Sequence, residues 1–233
     1  MSERKDDAMT RATHDIRFPR ESGEYRAARN ELLQAEAELR DKLEAVAALR
    51  RKLPFGGPAE DYVFDELVNG DVRQVKLSEL FEDGKDSLIL YSFMYGPEME
   101  KPCPLCNSFL DGLDGYAPHI SQRVNLAVVA KSPIDRTEQW AGLRGWNNLR
   151  LLSSNRNSYH ADYFNEGPDG SQWPVCHVFV KTDEGVRHFW ASELLYAPSE
   201  GHARHIDSLW PIWSFFDLTP EGRGKTWLPK LRY

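Results

Sequence analysis

The chain has 233 residues, enough for one sizeable domain with appendages, and its 41% hydrophobic and 28% charged residues are the balance of a globular protein rather than a disordered or membrane-spanning one. A net charge of −7, with no basic patch interleaved with aromatics, excludes a general phosphate-backbone binder, so nucleic acid is not an expected partner. No apolar run approaches the length of a bilayer span, so no membrane association is expected.

Residues 1–21 read as a flexible polar arm. Charges run through the first stretch, MSERKDDAMTRATHDIRF, with no apolar core of a secretory signal, which predicts a cytoplasmic location. From Ser22, an N-cap candidate followed by Glu24, the sequence is rich in Ala, Leu, Glu and Arg as far as Pro54 and predicts a long helix, with its linker completing a segment over 22–58. Leu32, Leu39, Val46 and Leu53 recur every seven residues, with Leu43 and Leu49 beside them. This partial stripe leaves two readings open, a helix laid against its own domain or the seam of a homodimer.

The prolines and glycines of 54–58 mark a boundary, and 59–233 form the main domain. Residues 62–68 and 72–76 flank Asn69-Gly70, a pair that accepts the positive φ of a type I′ hairpin turn. A short helix over 77–81 follows. Residues 88–93 and 124–130 are nearly continuous in apolar side chains, as strands covered on both faces of a parallel sheet are. Between them Cys103-Pro-Leu-Cys106 opens a helix whose apolar face reads Leu105, Phe109, Leu113 and Tyr116 and whose end is expected at Pro118. A helix over 134–143, a strand over 149–152 and a polar, aromatic loop come next. Residues 175–181 and 186–190 form a second hairpin, 200–210 a final helix, and the tail from Asp217 carries Trp227, Leu228, Leu231 and Tyr233 and is expected to pack. This order predicts an α/β, thioredoxin-like fold in a peroxiredoxin-like variant, a central sheet flanked by helices with a long N-terminal helix.

The CxxC pair carries the chemistry. A thiolate, not a thiol, attacks a disulfide, and a helix N-terminus favours the thiolate through its free N–H groups and dipole. Cys103 is therefore the expected attacking thiol and Cys106, one helical turn on, the resolving thiol. Zinc is the alternative use of such a pair. It would need further ligands from Cys176, His177, His160, His202 or His205, and no second CxxC or HxxxH completes a set, so neither metal nor cofactor is expected. Cys176 reads as a small buried hydrophobe. Pro174, ahead of the second hairpin, occupies the place where thioredoxin-like folds present backbone to a substrate chain, with its peptide bond open between cis and trans.

The segments Phe93-Met-Tyr-Gly-Pro97, Cys103-Pro-Leu-Cys106 with Asp111-Gly and Asp114-Gly behind it, Ser132-Pro133, Gly145-Trp146, Ser153-Ser154 and Asp217-Leu-Thr-Pro-Glu-Gly-Arg223 together resemble the bacterial family catalogued as domain of unknown function 899. The resemblance runs from about Ser22 to the C-terminus. It implies a thioredoxin-like fold and dithiol-disulfide oxidoreductase activity, with Cys103 and Cys106 as the redox pair and an unspecified thiol or disulfide substrate. Ser92 stands where members commonly have His, and Leu105 where a small residue is frequent. A peroxidase would carry Pro-x-x-x-Thr-x-x-Cys before its reactive thiol, but Glu100 stands three residues before Cys103 and Pro97 six before it. Thiol-dependent peroxidase, and a non-catalytic thioredoxin-like binding protein, are the alternative expectations.

Overall fold

A computed structural model describes residues 14–199, 202–224 and 226–232. The strands are β1 (Val63–Val68), β2 (Asp71–Lys76), β3 (Ser87–Phe93), β4 (Asn125–Ala130), β5 (Leu151–Ser153), β6 (Cys176–Thr182) and β7 (Gly185–Ala191). The α-helices are α1 (Gly23–Arg50), α2 (Pro104–Ile120), α3 (Ile134–Arg144), α4 (Tyr159–Asp162) and α5 (Ile212–Asp217). Contacts divide the chain into two units, Met1–Pro54 and Phe55–Tyr233. No helix among the described residues is long and apolar enough to cross a membrane.

The first unit is built on α1. Ser22 is its N-cap, accepting from the Tyr25 N–H at 3.0 Å and so satisfying one of the helix's orphan donors. Arg26 pairs with Glu21 just outside the helix. Of the seven-residue stripe, Leu32, Leu39 and Leu53 are exposed, as are Leu43 and Leu49 beside it. Most of the arm expected over 1–21 lies outside the described residues, which begin at His14.

In the second unit one mixed sheet has the order β2-β1-β5-β4-β3-β6-β7. The hairpin turn between β1 and β2 has positive φ at both Asn69 (53°) and Gly70 (88°), as the Asn-Gly signal required. Strands β3, β4 and β5 run parallel, and β6 returns antiparallel to β3 with Tyr91 opposite Cys176. The unit β3-α2-β4, followed by α3 and then the β6-β7 hairpin on the far side of β3, is the thioredoxin-like arrangement. Alternation along the strands splits the core between two faces. On one face Tyr91, Phe93, Val128 and Cys176 meet Cys106, Phe109, Leu110 and Leu113 of α2. On the other, Leu88, Leu90, Val129 and Phe179 meet Phe64, Leu77, Leu80 and Tyr159. Each such buried Leu or Phe contributes about 1.5–3 kcal/mol relative to leaving it in water.

Four local expectations need correction. The buried face of α2 is Cys106, Asn107, Phe109, Leu110, Leu113 and Ala117, while Tyr116 is exposed, so the true stripe is rotated from the one read off the sequence. Pro118 lies inside α2, which continues to Ile120; a proline in the last turn removes only the single backbone bond to the carbonyl four residues back. The parallel strand after α3 is Leu151–Ser153 rather than 149–152, because its pairing with β4 runs from Leu151 opposite Val128 to Ser153 opposite Ala130. The helix expected over 200–210 is absent from the described residues there. Arg204 adopts φ 52°, which breaks a helix, and the last helix starts only after Pro211, as the six-residue α5. Glu200 and Gly201 lie outside the described residues. The tail does pack in part, with Trp227 edge-on to Trp213 and Phe216 and the Leu231 carbonyl accepting from Arg144 at 2.6 Å.

Candidate redox site

Cys103 is the N-cap residue of α2, in extended conformation, with Pro104 in the first turn. Proline suits that position because its missing N–H would have had no helical partner. The Cys103 N–H donates to the Met94 carbonyl at 3.1 Å, which ties the start of α2 to the segment leaving β3. On the other side of the residue, its carbonyl accepts twice from Asn107, from the backbone N–H at 3.1 Å and from Nδ2 at 2.7 Å. Trp140 of α3 donates its indole N–H to Asn107 Oδ1 at 2.6 Å, so the fully buried Asn107 amide is held from two elements.

The loop over 94–102 is clamped as well. Arg136 of α3 donates to the carbonyls of Pro97 (2.8 Å) and Met99 and stacks 4.5 Å above the Tyr95 ring. Ser132 Oγ donates to the Gly96 carbonyl at 3.0 Å, and Ser153 at the end of β5 donates to the Ser132 carbonyl at 2.7 Å. Gly96 packs so closely that a Cβ there would lie 3.1 Å from the Gln172 side chain. These bonds fix where Cys103 stands before any chemistry occurs.

The two thiols sit in unlike environments. Cys103 is half-buried and Cys106 is buried, and both are free thiols. The Cys106 thiol, and then the backbone N–H groups of Cys106 and Leu105, hydrogen-bond the Cys103 sulfur and lower its pKa to about 6 against the opposing effect of burial. Burial, then the hydrogen bond to Cys103 and its charge, push the Cys106 thiol well above its ordinary value. Tyr91 opposes part of that penalty through its interaction with Cys106, and its buried hydroxyl has no conventional hydrogen-bond partner. The carboxylates of Glu98 and Glu100 do not enter the balance at Cys103.

Cys176 lies across the sheet from Tyr91 in the same core cluster, fully buried, with its thiol pushed up to about 12 by burial. Pro174 lies at the same end of the sheet, since the Ser92 N–H at the end of β3 donates to the Val175 carbonyl at 2.9 Å. The Trp173–Pro174 bond is trans, as no described peptide bond is cis. The Pro174 carbonyl accepts from His205 Nε2 at 2.8 Å, so the residue's one backbone polar group is already engaged within the chain. His160 bonds Ser154 (2.5 Å), His177 bonds Asn165 (2.9 Å), and His202 stacks on His205. Among the described residues no group of three or more His, Cys, Asp or Glu is arranged to hold a metal ion.

Sequence reading missed Asn107, Trp140, Arg136 and Tyr91 as members of this site. A polar residue next to Cys106 on the buried side of a helix was the available signal for Asn107. Nothing in the spacing announces Arg136, which acts through backbone carbonyls. Several quoted motif residues prove to be fasteners around the site. Asp111 of α2 accepts from Trp146 (2.8 Å) and pairs with Arg144, while Asp114 accepts from the Asn148 N–H at 2.8 Å. Asp217 pairs with Arg223 near the end of the chain.

The chain is similar in structure to reduced 2-Cys peroxiredoxin from Plasmodium vivax, at 18% identity over 57% of this chain and 81% of that one, with a TM-score of 0.44. It is also similar to the mitochondrial 2-Cys peroxiredoxin of Plasmodium falciparum (14% identity, 71% and 95% covered, TM-score 0.46) and to AhpC of Mycobacterium bovis (14%, 67% and 92%, 0.45). No curated protein matches the chain by sequence. The sequence profile described as bacterial protein of unknown function (DUF899) matches residues 16–233, and the chain belongs to that family.

Proposed function

We propose that the chain is a thiol-disulfide oxidoreductase working through Cys103 and Cys106. The observation that carries this reading is the asymmetry of the pair: a half-buried Cys103 at the N-cap of α2 that ionises near pH 6, against a buried Cys106 that stays protonated. At neutral pH the Cys103 thiolate attacks one sulfur of a substrate disulfide. The substrate S–S bond breaks, a mixed disulfide forms, and the departing substrate thiolate takes a proton from solvent. Cys106 then loses its proton and attacks the Cys103 sulfur, releasing the second substrate thiol and leaving a Cys103–Cys106 disulfide. The substrate gains two electrons, the pair loses two, and an external dithiol restores the reduced pair. The reverse sequence oxidises a substrate dithiol with the same residues.

The test is a trap. Cys106→Ser cannot resolve the intermediate, so it should accumulate a dithiothreitol-sensitive mixed disulfide with a disulfide-bonded peptide, and Cys103→Ser should form none. If wild-type protein does not cycle between dithiol and disulfide and Cys106→Ser captures nothing, the proposal fails. Supplying hydrogen peroxide in place of the peptide separates the peroxidase alternative, which requires Cys103 to consume peroxide catalytically.

A further inference from the structure

An open cavity lies away from the cysteines, on the sheet face that carries His177. It has a volume of about 820 Å³, within the usual range for small-molecule sites, and opens to solvent. Its walls are aromatic, from Tyr62, Tyr163, Phe164 and Tyr196, and its charged lining is Glu60, Asp162 and Glu193. No lysine or arginine lines it, and among the described residues none of these three carboxylates pairs with one. The two histidines in the wall, His177 and His188, stand with Nδ1 and Nε2 3.2 Å apart, and burial lowers both pKa values, to about 3 for His177. They add no positive charge at neutral pH, so an anion entering the cavity finds no counter-charge.

Two local features show that this surface is built rather than left over. Phe164 has φ 53°, a backbone state costly for a bulky residue, yet the residue is 72% exposed at the cavity wall. Tyr196 Oη holds it there by donating to the Phe164 carbonyl at 2.9 Å. Asp162 is oriented by two donors, Tyr62 Oη at 2.8 Å and Ser158 Oγ at 2.5 Å, both on Oδ2, which leaves Oδ1 without a partner among the described residues.

The geometry points to a binding site for an organic cation, an ammonium or guanidinium group on a small apolar frame, with the aromatic wall of Tyr163, Phe164 and Tyr196 supplying π surface and Asp162, Glu60 and Glu193 the counter-charge. Aromatic faces attract cations through their quadrupole, and carboxylates with no internal partner are free to take the charge. Such a group could arrive on a free amine or on the side chain of a peptide.

Calorimetric titration of the full chain with phenethylammonium, with its neutral analogue phenethyl alcohol, and with the capped peptide acetyl-Gly-Arg-Gly-amide tests this. The expected result is one-to-one binding of phenethylammonium, of the peptide, or of both, at least about tenfold tighter than the alcohol, a difference readable as a tenfold change in Kd. Binding by only one of the two assigns the source of the cation. Tyr196→Ala and Glu193→Gln alter exposed side chains and should each weaken the cation by about threefold or more, with the alcohol unaffected. Thermal melting of each variant, matched to wild type, shows that the fold is intact. No binding of either cation, equal binding of the alcohol, or cation binding unchanged in both folded variants overturns the proposal. Because Cys103 and Cys106 play no part, Cys103→Ser should bind the cation as wild type does, which keeps this outcome separate from that of the redox reading.

Discussion

Adjacent residues of β6 look into two different interiors. Cys176 joins the α2 face with Tyr91 and Cys106, while the His177 ring packs with Tyr159, Tyr163 and Phe179 on the opposite face. Both interiors bury titratable groups, and in both burial favours the neutral form: His160 and His177 fall to about 3, and Cys176 rises to about 12. Among the described residues of these two interiors Cys103 departs from the pattern, because the Cys106 thiol and two first-turn N–H groups of α2 outweigh the cost of burial. Donors aimed at a sulfur, rather than position in a cleft, favour this thiolate.

The largest effect should come from removing that charge. Cys103→Ser should reduce disulfide exchange to the uncatalysed background. On the opposite face, His160→Gln alters a ring buried to 1% exposure and should lower stability while leaving the exchange rate of the folded protein unchanged. Equal activity in Cys103→Ser would remove the distinction between the two faces. Next in size is the pH profile of alkylation. Cys103 has its folded pKa lowered to about 6, so its thiolate is present above that value and the rate with iodoacetamide should be flat from pH 7 to 8 and fall about tenfold per unit well below pH 6. Cys176, raised to about 12, should stay unmodified throughout. Mass spectrometry of the two peptides reads both thiols in one sample, and similar alkylation of both would contradict the electrostatic contrast.

The positioning shell predicts smaller, structural losses. Asn107→Ala strips the Cys103 carbonyl of its side-chain donor and leaves the Trp140 N–H without its acceptor, so unfolding by denaturant should show a loss of about 2–3 kcal/mol. Arg136→Ala releases the loop over 94–102 and should cost about 1.5–3 kcal/mol, with Arg136→Lys failing to restore it because an ammonium cannot span the Pro97 and Met99 carbonyls. An unchanged midpoint in either variant would mean that the site is held by the strands alone.

What was legible in the sequence follows the reach of each signal. Near-continuous apolar runs gave the strands around the CxxC, because covered strands leave few alternatives, and Asn69-Gly70 gave its turn because few residues accept two positive φ values. The stripe on α2 was misread because the helix buries an amide and a thiol, Asn107 and Cys106, that an apolar count passes over. The region over 200–210 was misread because composition does not reveal that Arg204 enters the left-handed region and that Pro211 delays the helix. The Arg136 clamp was not legible at all, since its partners are carbonyls that every residue carries.

The smallest expected effect is also the most discriminating about the α2 face. Tyr91 is 1% exposed and its hydroxyl has no conventional partner, so Tyr91→Phe removes a buried polar atom at almost no packing cost and stability should stay within about 1 kcal/mol of wild type. The same change withdraws the interaction that favours a charged Cys106, so the Cys106 pKa should rise further. Attack by Cys103 should then be nearly unaffected, while release of the mixed disulfide slows, because resolution requires Cys106 to ionise. Quenched-flow trapping separates the two steps. A slower second step at unchanged stability makes Tyr91 a positioning residue for the resolving thiol, whereas a more stable protein with both steps intact makes its hydroxyl a cost that the fold merely tolerates.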